Sequence, residues 1–142
     1  MRQLTATLLI AALAACSSST SSEVTATSQN TQTVTQQELG RAFAMKIGES
    51  VTLNDLRLTF RSVEGDSRCP IDAVCVWAGD AEIALKIEQA GKAAVAALHT
   101  TLDPKKTEWN GYTISLVSVS PSKKAETAID PADYRAEILV TR

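Results

Sequence analysis

The chain has 142 residues with 16 acidic, 14 basic and 3 cysteine residues. This is enough for one domain plus a tail and too little for two ordinary domains. A net charge of −2 excludes the basic excess of a phosphate-backbone binder, and 4% aromatic residues leave no base-stacking platform. A single histidine, His99, excludes chemistry that needs two.

Residues 4–15, LTATLLIAALAA, form an apolar run that follows a weakly basic start. A bilayer core takes roughly 20 helical residues, so the run is too short to span it and has the length of a signal-peptide core. It ends at Leu13-Ala14-Ala15-Cys16. Small residues directly before a cysteine at this point resemble the lipobox of bacterial lipoproteins. The resemblance implies cleavage after residue 15 and acylation of Cys16, and more than one acyl chain gives stable anchoring. It places the protein in the cell envelope. Ser17, rather than aspartate, after Cys16 implies the periplasmic side of the outer membrane if the host is Gram-negative.

Ser17 to Gln37 contains 17 Ser, Thr, Gln or Asn among 21 residues. Such a stretch cannot bury enough apolar surface to offset its ordering entropy. Residues 16–38 therefore read as the lipidated cysteine and a flexible tether spanning roughly 25 Å on average. Residues 39–142 read as one β-rich domain.

Within that domain the hydrophobic period is two. Phe43, Met45 and Ile47 alternate, as do Val51 and Leu53, then Leu56, Leu58 and Phe60 opposite Arg57, Thr59 and Arg61. Residues 81–102 fit two patterns. Ala81, Ile83, Leu85 and Ile87 share a strand face, with Gln89-Ala90-Gly91-Lys92 turning the chain into a second strand. Ile83, Ile87, Ala90, Ala94 and Leu98 share a helical face. Strict alternation and a mid-segment glycine, which costs a helix about 1 kcal/mol, favour the hairpin. Asn110-Gly111 is a hairpin-turn signal between Trp109 and Tyr112, a pair expected to meet across strands. Tyr112, Ile114 and Leu116 alternate, and so do Tyr134, Ala136, Ile138 and Val140. Six or seven strands predict an antiparallel β-sandwich or small barrel.

Residues 65–79, GDSRCPIDAVCVWAG, carry the remaining cysteines. In an exported protein Cys69 and Cys75 are expected to pair, which closes a short loop worth roughly 2–2.5 kcal/mol. Trp77 is expected to pack across the sheet or onto the disulfide, and Gly79 to permit a tight exit. Asp66-Ser67-Arg68-Cys69-Pro70 followed by Cys75, Trp77 and Gly79 resembles a group of bacterial secreted proteins and lipoproteins, as does Gly48-Glu49-Ser50-Val51 upstream. The group has no established activity, so the resemblance implies membership and not chemistry.

The simplest reading of the loop is a structural staple. A second is a recognition loop built on Asp66, Arg68, Asp72 and Trp77. A metal site from Asp66, Asp72, Asp80 and Glu82 lacks a known loop pattern, and a five-residue gap between cysteines lacks the Cys-x-x-Cys arrangement of redox thiols. No catalytic motif, cofactor or metal site is assigned. The expected function is a lipid-anchored, non-enzymatic binding module that contacts the membrane through its lipid and an envelope protein or glycan through its head, with no nucleic acid. The alternative is a small periplasmic enzyme, or an inhibitor of one, acting through the loop around Arg68, Asp72 and Asp80.

Overall fold

The computed structural model describes residues 34–142. The signal run, the lipobox and Cys16 lie outside the described residues, as does most of the expected tether.

Among the described residues nine strands run in the order β1 (Val34–Gln36), β2 (Phe43–Lys46), β3 (Ser50–Leu53), β4 (Leu56–Asp66), β5 (Ala81–Gln89), β6 (Lys92–His99), β7 (Lys106–Trp109), β8 (Tyr112–Ser120) and β9 (Arg135–Thr141). They build two sheets, ordered β1-β3-β4-β5-β6 and β2-β9-β8-β7. Every pairing is antiparallel except β1 with β3. The sheets are not closed on each other, so the expectation of a sandwich or barrel resolves to a sandwich. Among the described residues the only helical element is a 3-10 turn at Pro131–Asp133.

The period-two residues form the core. Val51, Leu53, Leu56, Leu58, Phe60, Ile83, Leu85, Ile87 and Leu98 from one sheet meet Phe43, Met45, Tyr112, Ile114, Leu116, Ala136, Ile138 and Val140 from the other. All are buried, because alternation puts each on the same side of its pleat. The ambiguous segment is the hairpin: β5 and β6 pair from Glu82↔His99 to Gln89↔Lys92 around Ala90-Gly91. Both turn residues have positive φ, at 48° and 76°, the geometry a two-residue hairpin requires. Trp109 and Tyr112 are direct cross-strand partners around Asn110-Gly111.

Two strands exceed the expected count. β7, Lys-Thr-Glu-Trp, is too polar to show a hydrophobic period and is ordered by pairing with β8. β1 lies inside the segment 16–38 read as tether. Its backbone pairs in parallel with β3, Thr35 opposite Val51, and the Gln37 N–H donates to the Thr52 carbonyl at 3.1 Å. A polar sequence can do this because ladder bonds need only backbone.

Candidate functional site

β4 and β5 stay paired up to the last residue of β4 and the first of β5, Asp66 opposite Ala81. Residues 67–80 are therefore an excursion whose two ends lie side by side, a compact surface loop of the omega type. The Ser67 N–H donates to the Asp80 carbonyl at 2.7 Å, and the Asp80 N–H donates to Ser67 Oγ at 3.2 Å, which closes the neck. Gly79 has φ +57°, and a Cβ there would lie 2.7 Å from both Arg68 Cα and Cys69 N. The tight exit predicted for it is a close backbone crossing that only glycine permits.

Above the neck, Cys69 and Cys75 are bonded, with Cα atoms 5.9 Å apart. The Ala73 N–H donates to the Pro70 carbonyl at 3.1 Å, turning the chain between them. Two contacts pin this ring to the β8–β9 connection, and a third ties that connection to the end of β4. The Ile71 N–H donates to the Lys123 carbonyl at 2.9 Å, the Ala125 N–H donates to Asp72 Oδ1 at 2.8 Å, and Lys123 Nζ donates to the Asp66 carbonyl at 2.7 Å.

The strongest attachment is a side-chain clamp. Arg68 Nε and Nη2 donate to the two Asp66 carboxylate oxygens at 2.8 and 2.7 Å, a bidentate ion pair. The remaining guanidinium hydrogens reach the Val119 carbonyl and, at 3.0 Å, the Pro121 carbonyl. Tyr134 donates its hydroxyl to Asp66 Oδ2 at 2.9 Å. Burial pushes the Asp66 carboxyl upward, but hydrogen bonds from Arg68 and Tyr134 outweigh it and hold the pKa below the usual carboxylate value. The bond to Asp66 raises the Arg68 pKa, and burial beside that carboxylate raises the Tyr134 phenol.

A second carboxylate, Asp80, anchors the far side of the neck. It accepts from His99 Nδ1 at 2.7 Å, Thr100 Oγ1 at 3.2 Å, and the N–H groups of Thr101 and Leu102 at 2.8 and 3.3 Å. Burial works against its charge, yet these donors prevail and lower its pKa to about 2. Asp66, Ser67, Asp80, Glu82 and His99 line one open cleft of about 320 Å³. Within it the Ser67 hydroxyl is taken up by the Asp80 backbone, and Asp66 and Asp80 are taken up by Arg68 and His99. Of the four carboxylates considered for a metal, Asp72 is directed instead to the Ala125 N–H. Among the described residues no group of three or more His, Cys, Asp or Glu side chains is arranged to hold a metal.

The expected recognition residues thus divide. Asp66, Arg68 and Asp72 lie together at the loop but serve as internal braces. Trp77 does not join the core between the sheets: it is 61% exposed. It stands with side chains that the sequence reading did not single out, Ile71 at 66%, Val74 at 101% and Val76 at 97% exposure. The loop therefore presents an apolar surface, and its one carboxylate in the stretch 71–78, the exposed Asp72, is engaged by the Ala125 N–H. The available signal was the run Val74-Cys75-Val76-Trp77, which is apolar but has neither strand alternation nor a partner strand to cover it. Tyr134, read as a strand residue, instead caps the 3-10 turn and braces Asp66.

No family model, curated protein or solved structure matches the chain.

Proposed function

We propose that the protein is a lipid-anchored binding module of the cell envelope, held at a membrane by Cys16 and gripping an envelope protein through the apolar tip of the 69–79 loop. The observation that carries the reading is the exposure of Ile71, Val74, Val76 and Trp77 on a loop fixed by a disulfide and the Asp66–Arg68 clamp. Leaving four large apolar side chains in water forgoes roughly 1.5–3 kcal/mol each that burial would return. A rigid loop that presents them loses little conformational entropy when a partner covers them. Aromatic anchors such as Trp77 are the residues that dominate interface energy. The lipobox-like sequence supports the anchor, and the polar segment after Cys16 supplies reach away from the bilayer.

The inhibitor reading is favoured by one further observation. Val74 and Val76 flank the disulfide-bonded Cys75 and project fully, a convex shape that suits an enzyme's substrate cleft. The two readings share a surface and differ in the partner. Affinity capture with and without Trp77→Ala tests the surface; loss of a hydrolase's turnover on adding the protein identifies the inhibitor. Mass analysis of the mature N-terminal peptide tests the anchor, and an unmodified Cys16 would overturn it.

A further inference from the structure

β6 is one edge of the five-stranded sheet. The Thr100 N–H donates to the Ala81 carbonyl at 3.0 Å, which sets the phase of the β5–β6 ladder. With Ile83↔Leu98, Leu85↔Ala96 and Ile87↔Ala94 in register, the backbone groups of Leu98, Ala96 and Ala94 face β5, and those of the alternate residues face outward. The His99 N–H accordingly donates to the Pro104 carbonyl at 3.0 Å, so the chain's own turn covers that end. Ala93, Val95 and Ala97 direct their N–H and C=O groups to a side where no described strand pairs, and all three residues are exposed.

Natural sheets protect such edges by shortness, charge, proline or bulges. The other three edges follow that rule. β1 has three residues, β2 has four including Lys46, and β7 has four including Lys106 and Glu108. β6 has eight residues, and no charge, proline or register shift interrupts it between Lys92 and His99.

We propose that β6 pairs with the β6 of a second copy, antiparallel about a two-fold axis at Val95. An isologous contact must be self-complementary, and this edge is. Residues 93–97 read Ala-Ala-Val-Ala-Ala, the same in both directions, and the outward groups of Ala93, Val95 and Ala97 are symmetric about the centre. The register sets Val95 against Val95 of the second copy and Ala93 against its Ala97, giving roughly six backbone hydrogen bonds. It sets Lys92 against Leu98, so no like charges face each other, and the small side chains permit strand spacing. The two five-stranded sheets become one continuous sheet. The contact is independent of the cysteine loop, so failure of either proposal leaves the other standing.

Sedimentation of the full mature chain in density-matched detergent, across micromolar to millimolar concentrations, tests the pairing. The wild type is expected to show a concentration-dependent dimer. Val95→Pro is expected to weaken it at least tenfold without unfolding the protein, because the Val95 N–H makes no bond to β5. Val95→Lys and Val95→Glu are each expected to be monomeric, and an equimolar mixture of the two to recover a dimer, since only a residue on the axis meets its own counterpart. A wild type that stays monomeric throughout, a Val95→Lys variant that still dimerises, or a mixture that fails to recover would each overturn the proposal.

Discussion

The two ends of the sandwich are closed by the same device and put to different use. At one end Asp55, in the β3–β4 turn, accepts from the Tyr112 hydroxyl and Gln89 Nε2, both at 2.8 Å, and Asn110 Nδ2 donates to Gln89 Oε1 at 2.8 Å. At the other, at the far terminus of β4, Asp66 accepts from the Tyr134 hydroxyl and from Arg68. Each end therefore has a carboxylate that takes a tyrosine hydroxyl, from Tyr112 in β8 of the opposite sheet at one end and from Tyr134 just before β9 at the other. The Asp55 end joins its strands by two-residue turns, Asn54-Asp55, Ala90-Gly91 and Asn110-Gly111, and presents only polar groups at the clasp. The Asp66 end spends an entire loop, a disulfide and an arginine where a short turn would have joined β4 to β5. The comparison separates what the fold needs from what it carries: closing the sandwich takes one carboxylate and one tyrosine, and the excess at the Asp66 end holds Ile71, Val74, Val76 and Trp77 in water.

Perturbing each end in turn sharpens the contrast, and the largest effect is expected at the clamp. Arg68→Ala leaves the Asp66 carboxylate without its ion-pair partner and removes the donor to the Val119 and Pro121 carbonyls. Breaking a largely buried pair costs roughly 3 kcal/mol, read as a lowered urea midpoint. Asp55→Ala, at the solvated clasp, is expected to shift that midpoint less, and a larger shift there would refute the asymmetry. Replacing Cys69 and Cys75 together by serine is expected to cost roughly 2–2.5 kcal/mol by releasing the loop in the unfolded chain. Gly79→Ala combines a positive φ with a Cβ 2.7 Å from backbone and is expected to cost roughly 1–3 kcal/mol.

Acid acts on the loop end through Asp66 and Asp80. Both carboxyls have folded pKa values below the unfolded value of about 3.9, so their stabilisation is complete above that pH. It is lost as the pH falls through the folded values, down to about 2 for Asp80. Thermal midpoints between pH 5 and 2 are expected to fall more steeply in the wild type than in Asp80→Asn, which has no carboxylate to protonate there. The smallest effect on stability is expected from Trp77→Ala together with Val76→Ser, within about 0.5 kcal/mol, because these exposed side chains support nothing beneath them.

The core was legible because a sandwich face needs nothing beyond alternation, and Leu56-Leu58-Phe60 and Ile83-Leu85-Ile87 supply it. β1 was not legible, because its pairing uses backbone, which every sequence has. Asp66, Arg68, Asp72 and Trp77 could be located as a cluster by their place around the cysteines, but their directions could not. Whether Arg68 points outward or onto Val119 depends on where β8 ends in space, some 50 residues further along the chain. Trp77 misled for a related reason. A large aromatic beside a disulfide has the composition of a core residue, yet Trp77 lies in the loop between β4 and β5, outside both sheets, and is largely exposed.

The central claim is that the loop tip is the binding surface, and site-specific photocrosslinking in intact envelopes tests it most directly. A crosslinker at position 76 is compared with one at position 108, exposed on β7. The account predicts one discrete adduct from position 76, absent from position 108 and abolished by Trp77→Ala at an unchanged thermal midpoint. No adduct from position 76, or the same adduct from both positions, would contradict it.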